Sequence, residues 1–419
     1  EGMSEAAYQA LKEEGLNVIL YAPTATKETF SNAIAYLVRR FDENTAEQNF
    51  LRHSFRLEVD TPEWERLVKS YEDAISLIPT VDQKAYRRQY RYQDIVQKET
   101  DPTHYHFVSE PDTDFVLSAN IKWAEKIRDK WKNIGASGGF NAYPVVSGET
   151  IQSNETVNVI DKSQYHDNKL VGHYVEATPE DMKMAINIAK SDPDGWRKLS
   201  INERQKMLMN AAHEIRVARG DRVGLAAAEV GKVFTETDVE VSEAVDFANF
   251  YPYSVSKISG LTGIEVSGKG VGMVVSPWNF PIAIPAGGVA ASLAAGNTVI
   301  LKPAEEAIQC GYRLCQSFWD AGISKNTLQF IPVRGSVVGE HMIPNKDIDF
   351  TIFKGGEDTA YRIIKSRPDI QLSAETGGKD ATIVTAMADR DQALGHVMAS
   401  AFHNSGQKCS ATSQLVLEK

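Results

Sequence analysis

The stretch Gly270-Val-Gly-Met-Val-Val-Ser-Pro-Trp-Asn-Phe-Pro-Ile-Ala-Ile-Pro-Ala-Gly-Gly-Val-Ala-Ala-Ser-Leu-Ala-Ala-Gly-Asn-Thr-Val-Ile-Leu-Lys-Pro-Ala-Glu-Glu306 decides the fold. Val271 to Ser276 is a short apolar run that reads as a buried strand, and Thr298 to Leu301 reads as a second. Between them a helix over 283–295 ends at Gly296. Ile282 to Leu301 is the most apolar part of the chain, but it is rich in Ala and Gly, contains Pro285 and ends at Lys302. That composition argues against a membrane span. Downstream the alternation continues. Helices over 304–320, stopped by Gly322, and over 336–343 separate the strands Thr327 to Ile331 and Ile348 to Phe353. Strand and helix in strict alternation predict an α/β fold with a doubly wound parallel sheet, whose ligands sit beyond the carboxyl ends of the strands.

The chemistry-bearing residues fall at those ends. Asn279 follows the first strand in Pro277-Trp-Asn-Phe-Pro281, and Lys302 and Glu305 follow the second in Lys-Pro-Ala-Glu. Glu375 follows another apolar segment in Ala374-Glu-Thr-Gly-Gly-Lys379, and Cys409 lies in Gly406-Gln-Lys-Cys-Ser410. A cysteine among small and polar residues suits an exposed, ionisable nucleophile. Taken singly, each has a plain alternative: a structural cysteine, a surface glutamate. Their joint position on one sheet favours function.

Upstream, Thr178-Pro-Glu-Asp181 starts a helix with a capping hydroxyl, a proline and two carboxylates at the positive dipole end. Ser200-Ile-Asn-Glu203 is a capping box whose helix is expected to close at Gly220. Nearer the N-terminus, Asn17 to Tyr21 reads as a strand and Glu28 to Glu43 as a helix. Tyr36, Arg39 and Arg40 share one face of that helix. They either hold a carboxylate by forked hydrogen bonds or form a solvated arginine pair beside a packed tyrosine. Residues 56 to about 110 are charged and helical in tone; the run Tyr86-Arg-Arg-Gln-Tyr-Arg-Tyr92 reads as a solvated helix face rather than a nucleic-acid platform.

The 419 residues carry a net charge of −11, which disfavours polyanion partners, and their length suggests two or three domains. Three cysteines, Cys310, Cys315 and Cys409, cannot build a disulfide framework and show no zinc-ligand spacing; His104 and His106 lack partner ligands, so no metal is expected. Nothing near Glu1 reads as a signal peptide, and a cytoplasmic setting follows.

From about residue 145 onward these motifs, in this order, resemble the aldehyde dehydrogenase family. The resemblance implies Cys409 as nucleophile, Glu375 as the base that activates water, and the Asn279 amide with the Cys409 backbone N–H as oxyanion donors. It implies NAD as cofactor, held by Ser276, Pro277, Trp278, Lys302, Glu305, Phe353, Gly355, Gly356 and Gly377. Lys302 and Glu305 would flank the adenosine ribose, where a carboxylate accepts from free hydroxyls and repels a 2′-phosphate. At the pyrophosphate turn Phe353-Lys-Gly-Gly356 stands where the family usually has Phe-Thr-Gly-Ser. The glycines still permit close backbone approach.

A second resemblance is to the bifunctional proline utilization A proteins. Tyr36-Leu-Val-Arg-Arg40 with Glu43-Asn44 is similar to the last helix of a proline dehydrogenase barrel, Tyr21 matches a further active-site tyrosine, and Glu110-Pro-Asp-Thr-Asp-Phe115 resembles the connector. By this resemblance Tyr21, Tyr36, Arg39 and Arg40 hold the carboxylate of proline, and FAD belongs to the barrel of the parent protein. The implied activity is oxidation of L-glutamate γ-semialdehyde to glutamate, in a homo-oligomer without nucleic acid or a transmembrane segment, the parent protein being free to associate peripherally with a membrane. Implied domains are 1–55 as the end of the barrel, 56–145 as helical connector and start of the dehydrogenase module, 146–376 as NAD-binding domain and 377–419 as the start of the catalytic domain. Only a few residues follow Cys409 and the family's later Glu-x-Phe-Gly-Pro motif does not occur, so the chain is expected to be an internal fragment that alone oxidises neither proline nor aldehyde efficiently. The alternatives are a generic aldehyde dehydrogenase with an unrelated extension, or a non-catalytic nucleotide-binding module.

Overall fold

The computed structural model describes residues 5–18, 24–47, 49–54, 57–81, 88–92, 101–102, 105–153 and 155–418. It divides into two units, residues 1–87 and 88–419.

The described part of the first unit is helical: α1 (Glu5–Glu13), α2 (Phe30–Thr45), α3 (Phe50–Ser54) and α4 (Pro62–Leu77). Helix α4 starts where Thr61 accepts from the Trp64 N–H at 3.3 Å, with Pro62 in the first turn. Of the face singled out on α2, Arg40 lies over the Tyr36 ring at 5.0 Å and pairs with Glu43 at 2.6 Å. Tyr36 is half-buried rather than packed into a core, because no residue of α2 is fully buried. Tyr21 and most of the strand expected over 17–21 lie outside the described residues.

In the second unit α5 (Ser118–Trp131) precedes β1 (Val145–Val146), β2 (Glu149–Thr150) and the hairpin β3 (Val157–Ile160) and β4 (Leu170–Tyr174). Four helices follow: α6 (Pro179–Ser191), α7 (Ile201–Val217), α8 (Arg219–Val230) and α9 (Phe234–Ser259). Then strand and helix alternate: β5 (Val271–Val275), α10 (Ala283–Ala294), β6 (Thr298–Lys302), α11 (Ile308–Asp320), β7 (Leu328–Phe330), α12 (Gly335–His341), β8 (Phe350–Gly355), α13 (Glu357–Ser366) and β9 (Gln371–Thr376). A further parallel pair, β10 (Asp380–Val384) and β11 (Thr412–Leu417), flanks α14 (Arg390–Phe402).

The main sheet runs β2-β1-β7-β6-β5-β8-β9, parallel from β7 to β9 with β1 and β2 antiparallel at one edge. Chain order departs from β5 in both directions, so the carboxyl ends of β5 and β8 bound the topological switch. Each central strand is buried on both faces. Val299 and Leu301 join a core with α7 to α11, while Ile300 joins a second core with α6, α12 and α13. The Ala- and Gly-rich segment is therefore helix α10 followed by β6 inside this sheet.

The helix starts at Thr178 and Ser200 form capping boxes with Asp181 and Glu203. One boundary differs from the sequence expectation. Gly220 does not close the Ser200 helix; α7 ends at Val217 and Gly220 lies in the first turn of α8, where a Cβ would come within 3.0 Å of Ile127. Its value is close packing against α5, not a left-handed turn. Among the described residues, no helix is long and apolar enough to cross a membrane and no group of three His, Cys, Asp or Glu side chains is placed to hold a metal.

Candidate active site

Strand register brings the motifs together. Val275 pairs with Lys302 on one side and Phe353 on the other, and Lys354 pairs with Glu375. The carboxyl ends of β5, β6, β8 and β9 and the loops that follow them consequently lie together at one end of the sheet, carrying Ser276 to Asn279, Lys302 with Glu305, Gly355 with Gly356, and Glu375 to Gly377.

At the β6 end Lys302 is buried, which lowers its ammonium below the usual lysine range, while Glu305 and Glu306 act against the shift. Glu305 accepts from the Gly335 N–H at 3.1 Å, and a Cβ on Gly335 would stand 3.9 Å from Lys302 Nζ. Lys302, Glu305 and the start of α12 thus frame one polar recess. Beside it the Ser276 N–H donates to the Lys302 carbonyl at 3.1 Å, and the Ser276 Oγ is buried with no hydrogen-bond partner. Gly356 and Gly377 have open space where a Cβ would project. An orphaned hydroxyl, a buried cation, a ribose-type acceptor and two open glycines fit a dinucleotide.

The nucleophile loop is held by Asn279. Its Nδ2 donates to the Gln407 carbonyl at 2.7 Å, and Asn404 Nδ2 donates back to the Asn279 carbonyl at 3.2 Å. The Asn404 N–H donates to Glu236 at 2.7 Å. Asn404, Ser405 and Gly406 are all left-handed, with φ of 50°, 55° and 74°. Two non-glycine residues in that region cost on the order of 1 kcal/mol each, so these cross-loop bonds impose the turn that presents Cys409. Cys409 is exposed, whereas Cys310 and Cys315 are buried. A Cβ on Gly378 would lie 3.0 Å from the Cys409 carbonyl oxygen, so only glycine lets the segment after Glu375 pass this close.

Four supports of the site carried no sequence signal. Lys232, just after the left-handed Gly231 that ends α8, donates to the Asn279 carbonyl at 3.0 Å and to Glu240 at 2.8 Å, and its ammonium lies 3.9 Å from the Phe280 ring centroid. Glu240 also accepts from the N–H groups of Ile282 and Ala283, at 2.5 and 2.9 Å, which anchors the start of α10. Glu236 and Asn404 complete the frame. Nothing in local spacing ties residue 240 to residue 282; the tie exists only because α9 packs along α10.

A parallel sheet wound in both directions, with polar loops at its switch point tied through Asn279 to the loop that bears an exposed cysteine, fits the architecture of a dinucleotide-binding enzyme. The aldehyde dehydrogenase family model matches residues 150–419, and the proline dehydrogenase model matches residues 1–53. The chain belongs to the aldehyde dehydrogenase family. It is 30% identical over 331 residues to 1-pyrroline-5-carboxylate dehydrogenase of Staphylococcus epidermidis, covering 75% of this chain and 63% of that protein. The crystal structure of 1-pyrroline-5-carboxylate dehydrogenase from Thermus with bound NAD superposes with a TM-score of 0.70 at 28% identity, covering 75% of this chain and 64% of that one. Proline utilization A from Bdellovibrio bacteriovorus superposes with a TM-score of 0.81 at 28% identity, covering 99% of this chain and 42% of that one. The chain therefore spans less than two thirds of these relatives, and its similarity to proline utilization A runs along its whole length.

Proposed function

We propose that this chain supplies the dehydrogenase site that oxidises L-glutamate γ-semialdehyde, the hydrolysed form of 1-pyrroline-5-carboxylate, to L-glutamate with NAD. The observation that carries the reading is the Asn279–Gln407 bond, which joins the β5 loop of the dinucleotide recess to the loop bearing the one exposed cysteine. The named activities of the relatives favour this substrate.

In this reading Cys409, as thiolate, attacks the aldehyde carbon and forms a C–S bond, leaving a thiohemiacetal oxyanion. An amide carries two N–H donors. Asn279 spends one on Gln407 and offers the other, with the Cys409 backbone N–H, to that oxygen; one such donor is worth about 3 kcal/mol in the transition state. The chemistry that bound NAD supplies is hydride acceptance, which converts the thiohemiacetal on Cys409 into a thioester. Ser276, Pro277, Trp278, Lys302, Glu305, Phe353, Gly355, Gly356 and Gly377 hold the cofactor at the strand ends. Glu375 then takes a proton from water as the water oxygen bonds the thioester carbon; the C–S electrons return to Cys409 and glutamate leaves.

The match of residues 1–53 to proline dehydrogenase supports a companion proposal, that the intact protein also oxidises proline with FAD, Tyr21, Tyr36, Arg39 and Arg40 gripping the proline carboxylate. The described residues of that unit form helices only, so no step of that half-reaction is assigned to them. The same reading keeps the boundaries 1–55, 56–145, 146–376 and 377–419 and a cytoplasmic homo-oligomer.

The test is NADH production by the intact protein. Glutamate γ-semialdehyde should be oxidised, and Cys409→Ala should lower turnover by at least about a thousandfold. Preference for an aldehyde without a carboxylate would replace this substrate with a generic one, and no NADH from either would leave a non-catalytic nucleotide-binding module.

A further inference from the structure

We infer that Lys354 is a positioning residue for Glu375, holding its carboxylate at the edge of the sheet for thioester hydrolysis. The inference rests on the reading of Glu375 as the hydrolytic base. Lys354 lies in strand β8, at the position where the resemblance to the family leads one to expect threonine.

Two observations carry it. First, Lys354 and Glu375 are register partners on adjacent parallel strands, so their side chains leave the sheet on the same face, and Lys354 Nζ forms an ion pair with Glu375 Oε2. Second, Lys354 lies near enough to α9 for its charge to act on that helix. Glu243 of α9 has its carboxyl pushed up by burial and by Glu240, and drawn back down by Lys354 and Lys232. The ammonium thus acts electrostatically on a carboxylate of α9 as well as pairing with the one on β9. The lysine side chain is only 26% exposed while that of Glu375 is 73% exposed, so the covered member is the anchor and the open one is the group being held.

Magnitude separates the roles. An ion pair with one member this open adds too little stability to matter in a domain with two cores. Its effect falls on the three side-chain torsions of Glu375, which no other described contact restrains. Hydrolysis requires that carboxylate within hydrogen-bond reach of a water aimed at the Cys409 thioester, and displacement of about 1 Å is costly there. Acylation and hydride departure do not need Glu375.

Rapid mixing of the intact protein with NAD and glutamate γ-semialdehyde tests this. Lys354→Met should keep an NADH burst of about one per Cys409 while steady turnover falls about tenfold, and Lys354→Arg should recover most of the loss. The double variant with Glu375→Gln should be no slower than Glu375→Gln alone, because nothing remains to be positioned. NAD affinity, measured by direct binding, should change by less than about twofold. Melting temperatures of all variants identify any that fail to fold. Loss of the burst together with turnover, wild-type turnover in Lys354→Met, or additivity in the double variant overturns the inference. Weaker NAD binding with unchanged hydrolysis makes Lys354 a phosphate contact and also overturns it. If Glu375→Gln itself turns over normally, the base assignment has failed and takes the inference with it; if Glu375→Gln stops hydrolysis and Lys354→Met does not, the inference alone has failed.

Discussion

Glu229 shows how far burial can move a single group. Its carboxylate caps α11 by accepting the N–H groups of Gln309 and Cys310, each at 2.7 Å. Burial nevertheless raises its pKa to about 7, from an ordinary 4.5, against the pull of those two bonds. The folded state therefore holds the proton more tightly than the unfolded chain does. Its contribution is fully present below the unfolded pKa and is lost as pH rises towards 7, a loss on the order of 3 kcal/mol. Glu229→Gln should flatten this part of the stability–pH curve between about pH 4.5 and 7. Urea unfolding across that range checks it, and an unaltered slope in the variant removes Glu229 as the cause. Glu305 makes a prediction of another kind. At 4 Å a carboxylate repels a 2′-phosphate by roughly 1–4 kcal/mol. Glu305→Gln keeps an acceptor for the Gly335 N–H and removes the charge, so the kcat/KM ratio of NADP to NAD should rise by about tenfold or more. A ratio that stays put would place the ribose elsewhere.

Within the elements, local chemistry decided the starts and tertiary packing decided the ends. Thr178 and Ser200 were legible as caps because a hydroxyl and a carboxyl three residues apart satisfy each other's backbone N–H without help from elsewhere. Gly220 was not legible, because a glycine that stops a helix and one that lets two helices touch look alike until the neighbour is known. Gly272 is the second kind within a strand: a Cβ there would sit 2.3 Å from the Phe350 ring on β8. Gly272→Ala should force β5 and β8 apart at their amino ends, opposite the dinucleotide loops, destabilising by about 1–3 kcal/mol while leaving NAD binding little changed. Calorimetry and a binding titration check this; an unchanged melting temperature would mean that the ring simply moves aside.

Across the whole molecule, the connector motif Glu110-Pro-Asp-Thr-Asp-Phe115 shows what a sequence match leaves unsaid. Glu110 pairs with Arg216 at 2.8 Å and Arg219 at 3.0 Å, and Thr113 donates to Asp238 at 2.5 Å through its hydroxyl. These charges are buried, and removing one member would leave the rest unpaired in low dielectric. By itself the sequence determined the alternation of strand and helix, the polar residues at strand ends and the exposed setting of Cys409, because each depends on neighbours within one element or turn. Only the tertiary structure decided the strand order that turns β5 and β8 into a switch point, the Lys232–Glu240 support beneath Asn279, and the pairing of Lys354 with Glu375. Those features join residues from separate elements, and their energies exist only after the sheet has brought the elements into register.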